Sequence, residues 1–286
     1  MSEEGVVGTR DIQSVLHPTD FSESSRLAFA HALRMALSGH TKMYVLHADP
    51  EASDEPDWSM FPGVRRTLAD WGLIEQGSSP RAVFDDLGVR LAKIRVHDRD
   101  AVRAILRFLA EHPSDIIVLA THGRDGLPRW LHGSVAEPVA RGGLTNTLFI
   151  PHGARGFVAP ESGVVSLRRI LVPVDRRPAP GHALDAAAQI VRLLADTPAA
   201  LELLYVGDAG DMPSLQIDQA AWSTVERTIR SGDVVTQILA AAEHSAADLI
   251  VMATEGHQGF LDALRGSTTE RVLRQAPCPL LAVPAL

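Results

Sequence analysis

The sequence predicts an α/β fold built twice over, each copy an open parallel five-stranded sheet covered by helices. Length is the first reason, since 286 residues are enough for about two domains. The second is an internal repeat, and the third is a regular alternation of strand-length apolar runs with helical stretches inside each half.

The repeat is dense toward the end of each half. At a constant offset of 133, Asp115-Ile-Ile-Val-Leu-Ala-Thr-His-Gly123 lies over Asp248-Leu-Ile-Val-Met-Ala-Thr-Glu-Gly256. Gly126, Gly133, Ser134, Glu137, Val139 and Arg141 then fall on Gly259, Gly266, Ser267, Glu270, Val272 and Arg274. The halves also match at their starts, where Val15-Leu16-His17-Pro18-Thr19-Asp20 aligns with Ile170-Leu171-Val172-Pro173-Val174-Asp175 at an offset of 155. The fall from 155 to 133 makes the second half 22 residues shorter in its middle. We therefore expect one domain over 11–152, a Gly- and Pro-rich linker over 153–167, and a second, shortened domain over 168–286.

In the first half, Ser14–Leu16, Lys42–Leu46, Arg90–Val96, Ile116–Ala120 and Thr147–Ile150 read as strands. Ser24–Ala36 reads as a helix, with Leu27, Ala30, Leu33 and Ala36 along one side and Ser22 or Ser24 as its cap. Ala101–Leu109 and Ser134–Ala140 are the later helices, and residues 49–88 form a long excursion of loop and helix. The corresponding stretch near 207–222 is too short to hold the same helix. Strands that are apolar almost throughout suit a parallel sheet buried on both faces.

Composition excludes several functions. The charge is −8, and Lys42 and Lys93 are the only lysines among 27 basic residues. No glycine precedes a lysine, so there is no Walker loop, and neither lysine lies in a kinase motif. An acidic chain without a basic block predicts no nucleic-acid partner. No apolar run reaches the roughly 18 residues of a membrane helix. The acidic start lacks an apolar h-region, and the single Cys278 forms no internal disulfide, so the expected location is the cytoplasm.

Three features converge where ligands bind in open parallel sheets, outside the carboxyl ends of the strands. An Asp follows the first strand (Asp20, Asp175). Thr121 to Gly123 and Thr254 to Gly256 follow the fourth, and Gly133-Ser134 and Gly266-Ser267 open the last helix. Free N–H groups at a helix start, glycines that allow close approach and a serine hydroxyl together suit phosphate. A carboxylate across the crevice suits a nucleoside.

Ala120-x2-Gly123-x9-Gly133-Ser134 resembles the nucleotide motif G-x2-G-x9-G-(S/T) of the universal stress protein family, and Val-Leu-His-Pro-Thr-Asp-Phe-Ser-Glu-Ser-Ser resembles its opening strand. The resemblance covers both halves and implies a tandem member. It implies Rossmann-like, adenine nucleotide alpha hydrolase-like domains with strand order 3-2-1-4-5, and ATP bound between strands 1 and 4. By motif, Pro18, Thr19, Asp20 and Ala48 match positions at the base and ribose. Gly123, Gly133, Ser134 and Val135 match positions that hold the phosphates, and Ala120, Thr121 and His122 are further matched nucleotide-binding positions. In the second half the matches are Pro173, Val174, Asp175, Val206, Ala253, Thr254, Gly256, Gly266, Ser267 and Thr268. The cofactor implied is ATP, with AMP or ADP as variants and Mg2+ accompanying ATP.

The chain departs from the family pattern in three places. Ala120 and Ala253 stand where the motif has its first glycine, Glu255 replaces His122, and Asp175-Arg-Arg-Pro-Ala-Pro-Gly181 differs from the family's first loop. The first half is thus the expected nucleotide site. Two readings stay open for the second: a further nucleotide site, or a degenerate one serving only as pseudo-dimer partner.

His17, His47, His97 and His122 fall at strand ends on one edge, but four neighbouring strands span about 14 Å, too far for one metal ion, and no metal is expected. No G-x-S-x-G, H-E-x-x-H or G-x-G-x-x-G motif is present, so no catalytic residues are assigned and at most a weak ATPase is expected. The expected function is a nucleotide-binding stress or signalling protein whose ligand alters partner binding, as an intramolecular pseudo-dimer or a homodimer of such chains. The competing expectations are a nucleotide-independent scaffold and a slow ATP hydrolase.

Overall fold

The computed structural model describes residues 11–49, 63–121, 145–255 and 268–285. Its first strand, β1 (Ser14–Pro18), sends Val15 to one face and Leu16 to the other, and both are fully buried. Helix α1 (Glu23–Gly39) follows. Of the two candidate caps it is Ser22 whose side chain accepts from the backbone of Ser25, and His40 ends the helix in the left-handed region at φ 49°. The half continues through β2 (Lys42–Asp49), α2 (Val64–Asp70), α3 (Ala82–Asp85), β3 (Arg90–His97), α4 (Ala101–Glu111), β4 (Ile116–Ala120) and β5 (Asn146–Ile150).

The second half repeats the plan with β6 (Arg169–Pro173), α5 (Gly181–Leu194), β7 (Ala199–Val206), β8 (Trp222–Arg230), α6 (Val234–His244), β9 (Leu249–Glu255), α7 (Thr268–Leu273) and β10 (Leu280–Ala285). Between β7 and β8, where the first half carries α2 and α3, the described chain makes only the 3-10 turns Ala209–Asp211 and Gln219–Ala221. The expected helix over Ser134–Ala140 lies outside the described residues.

Each half has the expected order, β3-β2-β1-β4-β5 and β8-β7-β6-β9-β10, with parallel neighbours throughout. The two sheets are not separate, however. β5 and β10 pair antiparallel, Leu280 opposite Phe149 and Ala282 opposite Thr147, giving one ten-stranded sheet. The pairing satisfies backbone groups that two open sheets would each leave along an edge. Helices α1, α2 and α5 cover one face around Phe29, Leu33, Leu68 and Ile190, and α4, α6 and α7 cover the other around Phe108, Ile238 and Leu273.

Several repeated residues hold this frame. The Asp115 carboxylate accepts from the Gln13 N–H at 2.9 Å and the Ser14 hydroxyl at 2.8 Å, tying β4 to β1 at their amino ends. Asp248 accepts from the N–H groups of Arg168 and Arg169 at 2.8 and 3.0 Å and from Arg155 at 2.7 Å, tying β9 to β6. Glu270 and Arg274 form an ion pair across one turn of α7, 2.7 Å apart.

The stretch expected as a linker, 153–167, is packed into the molecule. Phe157 and Val158 are buried, and Val158 bridges Val165. His31 of α1 anchors them: its Nδ1–H donates to the Leu27 carbonyl at 2.8 Å, while Nε2 accepts from the N–H groups of Phe157 and Val158 at 3.1 and 3.2 Å. A Cβ at Gly156 would lie 2.5 Å from the imidazole, so this approach requires glycine. Among the described residues no helix is long and apolar enough to cross a membrane.

Candidate functional site

Chain order reverses at β1: α1 carries the chain to β2 on one side, and α4 returns it to β4 on the other. A crevice opens there at the carboxyl ends of the strands, a cavity of about 160 Å3. Pro18, Thr19, Asp20, Ala48 and Ala120 line it, together with His47 and, from the first turns of α4, Ala101 and Ile105.

Its floor is held by main-chain bonds. The Thr19 N–H donates to the Leu46 carbonyl at 2.8 Å, and the Thr121 N–H to the Ile150 carbonyl at 2.9 Å. The Thr19 hydroxyl meets that of Ser25 at 2.9 Å and accepts from the Phe21 N–H at 3.1 Å, while Asp20 accepts from the Ser22 N–H at 3.0 Å. These bonds hold Phe21 at φ 62°, a left-handed conformation that is costly for a side chain of this size. The Phe21 ring stacks on His47 at 4.1 Å, and the His47 Nδ1–H donates to the Thr19 carbonyl at 2.9 Å.

Beneath the crevice, His17 is wholly buried. Its Nδ1–H donates to the Val118 carbonyl at 3.0 Å, and burial pushes its pKa down to about 4, so it is neutral at physiological pH. His17 is therefore a structural part of the strand end, while His47 lines the crevice. Among the described residues no group of three or more His, Cys, Asp or Glu is arranged to hold a metal.

The second half carries the matching crevice between β6 and β9, a cavity of about 470 Å3. Pro173, Val174, Asp175, Val206, Ala253, Thr254 and Thr268 line it, with Val234 and Ile238 from α6 standing where Ala101 and Ile105 stand in the first. The Val174 N–H donates to the Leu204 carbonyl at 2.8 Å, as Thr19 does to Leu46. The differences cluster in the first loop: Val174 has no hydroxyl, Pro180 replaces Ser25, and Arg177 and Pro178 form part of the wall. Arg177 also falls on Ser22, the cap of α1, and helix α5 begins later, at Gly181, with Pro180 at its N-cap and no side-chain cap.

His122, Gly123, Gly133, Ser134 and Val135 lie outside the described residues, as do Gly256, Gly266 and Ser267. The sequence reading missed the contribution of α4 and α6. The signal was present, since Ala101 and Ile105 fall on Val234 and Ile238 within the 133-residue repeat, one helical turn apart in each pair.

Fold and crevices define a doubly wound α/β repeat protein with two clefts at equivalent switch points. Residues 11–150 and 214–284 match the universal stress protein family, and the chain belongs to that family. The second matched segment begins after β7, so the divergent first loop of the second half lies outside it. Over 144 residues the chain is 31% identical to a universal stress protein of Synechocystis, covering 43% of this chain and 90% of the relative. Over 142 residues it is 25% identical to one from Methanocaldococcus jannaschii, covering 41% and 81%. The crystal structure of a universal stress protein from Archaeoglobus fulgidus superposes with a TM-score of 0.59 at 19% identity, covering 96% of this chain and 98% of that one; this likeness concerns the fold.

Proposed function

We propose that the chain binds an adenine nucleotide in the first-half crevice and acts in stress response or signalling through partners that read the liganded state. The observation that carries the reading is the convergence of Asp20, Ala48 and Ala120 on one small cleft at the switch point. A cavity of about 160 Å3 suits a planar ring more than a whole nucleotide. Asp20 suits the ribose or base, and by the family motif the phosphates are assigned to Gly123, Gly133 and Ser134, with Mg2+ accompanying ATP. With few lysines in the chain, backbone N–H groups and the Ser134 hydroxyl hold the phosphates. We assign the domains as 11–152 and 168–286 with 153–167 as a packed connector, and read their antiparallel seam as an intramolecular pseudo-dimer of a cytoplasmic protein.

The second crevice is larger, about 470 Å3, and Arg177 lines it where the first half has Ser22; it is a further nucleotide site or a degenerate one serving as pseudo-dimer partner. Chromatography of small molecules released by heat from the purified protein tests the proposal. Adenine nucleotide in the released fraction, lost in Gly133→Val, is expected. The proposal fails if neither released nor added ATP, ADP or AMP at millimolar concentration is bound, or if Gly133→Val binds as well as the parent.

A further inference from the structure

The largest of the cavities described, about 930 Å3, is at neither crevice. It lies at the outer edge of the first half, walled by α2, the turn 76–80, α3 and the beginning of β3. The second half, whose middle is short, has no α2 or α3 among its described residues to form a counterpart.

Its charge runs against that of the molecule. Among the described residues, Arg65, Arg66, Arg90 and Lys93 line it, opposed by one lining carboxylate, Asp70, in a chain whose net charge is −8. Lys93 is one of the two lysines in the sequence. Like charges brought together on a concave wall focus a positive potential into the cavity. Arg65 is fixed in place by a hydrogen bond from its guanidinium to the Ser78 carbonyl at 2.9 Å. The Arg90 guanidinium sits 5.2 Å from the centre of the Phe84 ring, which is 48% exposed. Burial and the neighbouring Arg65 lower the pKa of Lys93, so the cations are close enough to act on one another.

The remaining wall is apolar, formed by Val83, Val89 and Leu91. A concave site of this volume with an apolar wall and a few converging charges has the form of a small-molecule pocket. A nucleic acid would need a continuous basic track, which this local cluster of four cations does not offer.

We propose that this cavity is a second ligand site, which takes a multiply charged organic anion of metabolite size. Its phosphate or carboxylate groups meet Arg65, Arg66, Arg90 and Lys93, and its carbon skeleton rests on Leu91 and Phe84. Arginine supplies paired N–H donors that suit either oxyanion. The site is independent of the nucleotide crevice and stands whether or not that crevice is filled.

Calorimetric titration of the full chain with inorganic tripolyphosphate and, separately, with citrate tests this. One-to-one binding of at least one anion is expected, weakening as salt is raised. Arg66→Gln and Lys93→Gln should each weaken binding by about tenfold or more, the loss expected for one charge-assisted hydrogen bond. Asp70→Asn should tighten it, and Arg66→Lys, which keeps the charge but loses the paired donors, should weaken it less than Arg66→Gln does. Tripolyphosphate binding alone assigns the site to phosphate esters, and citrate alone to polycarboxylates. Binding of neither anion overturns the proposal, as does binding unaffected by Arg66→Gln and Lys93→Gln. A loss on Asp20→Ala would assign the anion to the nucleotide crevice and overturn it equally.

Discussion

His31 holds the connector against α1, and replacing it with leucine removes the acceptor of two buried N–H groups. Each orphaned donor costs roughly 1–3 kcal/mol, so His31→Leu should destabilise the protein by roughly 2–6 kcal/mol at pH 7. The same imidazole makes stability depend on pH. Burial pushes its pKa from 6.5 to about 4, outweighing the bond to Leu27, and that difference is worth about 3 kcal/mol. The folded-state value lies below the unfolded one, so the unfolded chain holds the extra proton between about pH 6.5 and 4. Stability from this residue is therefore complete above pH 6.5 and is lost as pH falls through that window. His17 has a pKa pushed down to about 4 by the same cause, but it is present in both proteins and cancels in the comparison. Urea unfolding of parent and variant at pH 7, 6, 5 and 4 should give curves that converge by about 3 kcal/mol toward pH 4. Titration of the His31 ring by nuclear magnetic resonance in the unaltered protein should show no midpoint above about pH 5. Parallel stability curves, or a midpoint near 6.5, would refute the reasoning.

Two further outcomes rest on single side chains. Asp98 accepts both guanidinium bonds of Arg103, at 3.0 and 2.6 Å, and these hold its pKa down at about 2. Asp98→Asn should lower the thermal midpoint at pH 7. Because the folded pKa is depressed, the gap to the parent should close as pH falls from about 4 to about 2, as followed by circular dichroism. Burial pushes the Cys278 thiol up to about 12, so a disulfide reagent at pH 8 should label it at least about tenfold more slowly in the folded protein than in urea. Equal rates would contradict this.

The residues that make the repeat visible mostly carry backbone geometry. Asp115 and Asp248 bond the amino ends of neighbouring strands, and Glu270 and Arg274 bond each other, so copies of the same frame retain them. Strand positions were legible because Val15-Leu16 and Ile116-Ile117 bury both faces and leave no polar alternation to misplace them. The strand order came through family resemblance, since apolar runs specify that a strand is buried without naming its neighbour. For the same reason nothing in Thr147–Ile150 or Leu280–Ala285 announces that these runs pair with each other. That the 153–167 linker packs on the molecule was not legible, because its partner, His31, lies 126 residues from Phe157 on the apolar side of a helix. Its bonds exist only once the sheet is assembled. In the crevices, Asp20 and Asp175 stood out from their position after the first strand, whereas Ala101 and Val234 looked like ordinary helix residues.

The antiparallel seam between β5 and β10 constrains the proposed signalling role. Strands of the first half run against those of the second, so the two crevices open on opposite ends of the sheet. Five strand-to-strand steps separate β1 from β6, about 24 Å across. A flat partner surface laid against one mouth faces away from the other. Under the proposed function, ligands at the two mouths would each need their own partner, or one long enough to wrap around the sheet, and any coupling between the mouths would cross the seam itself.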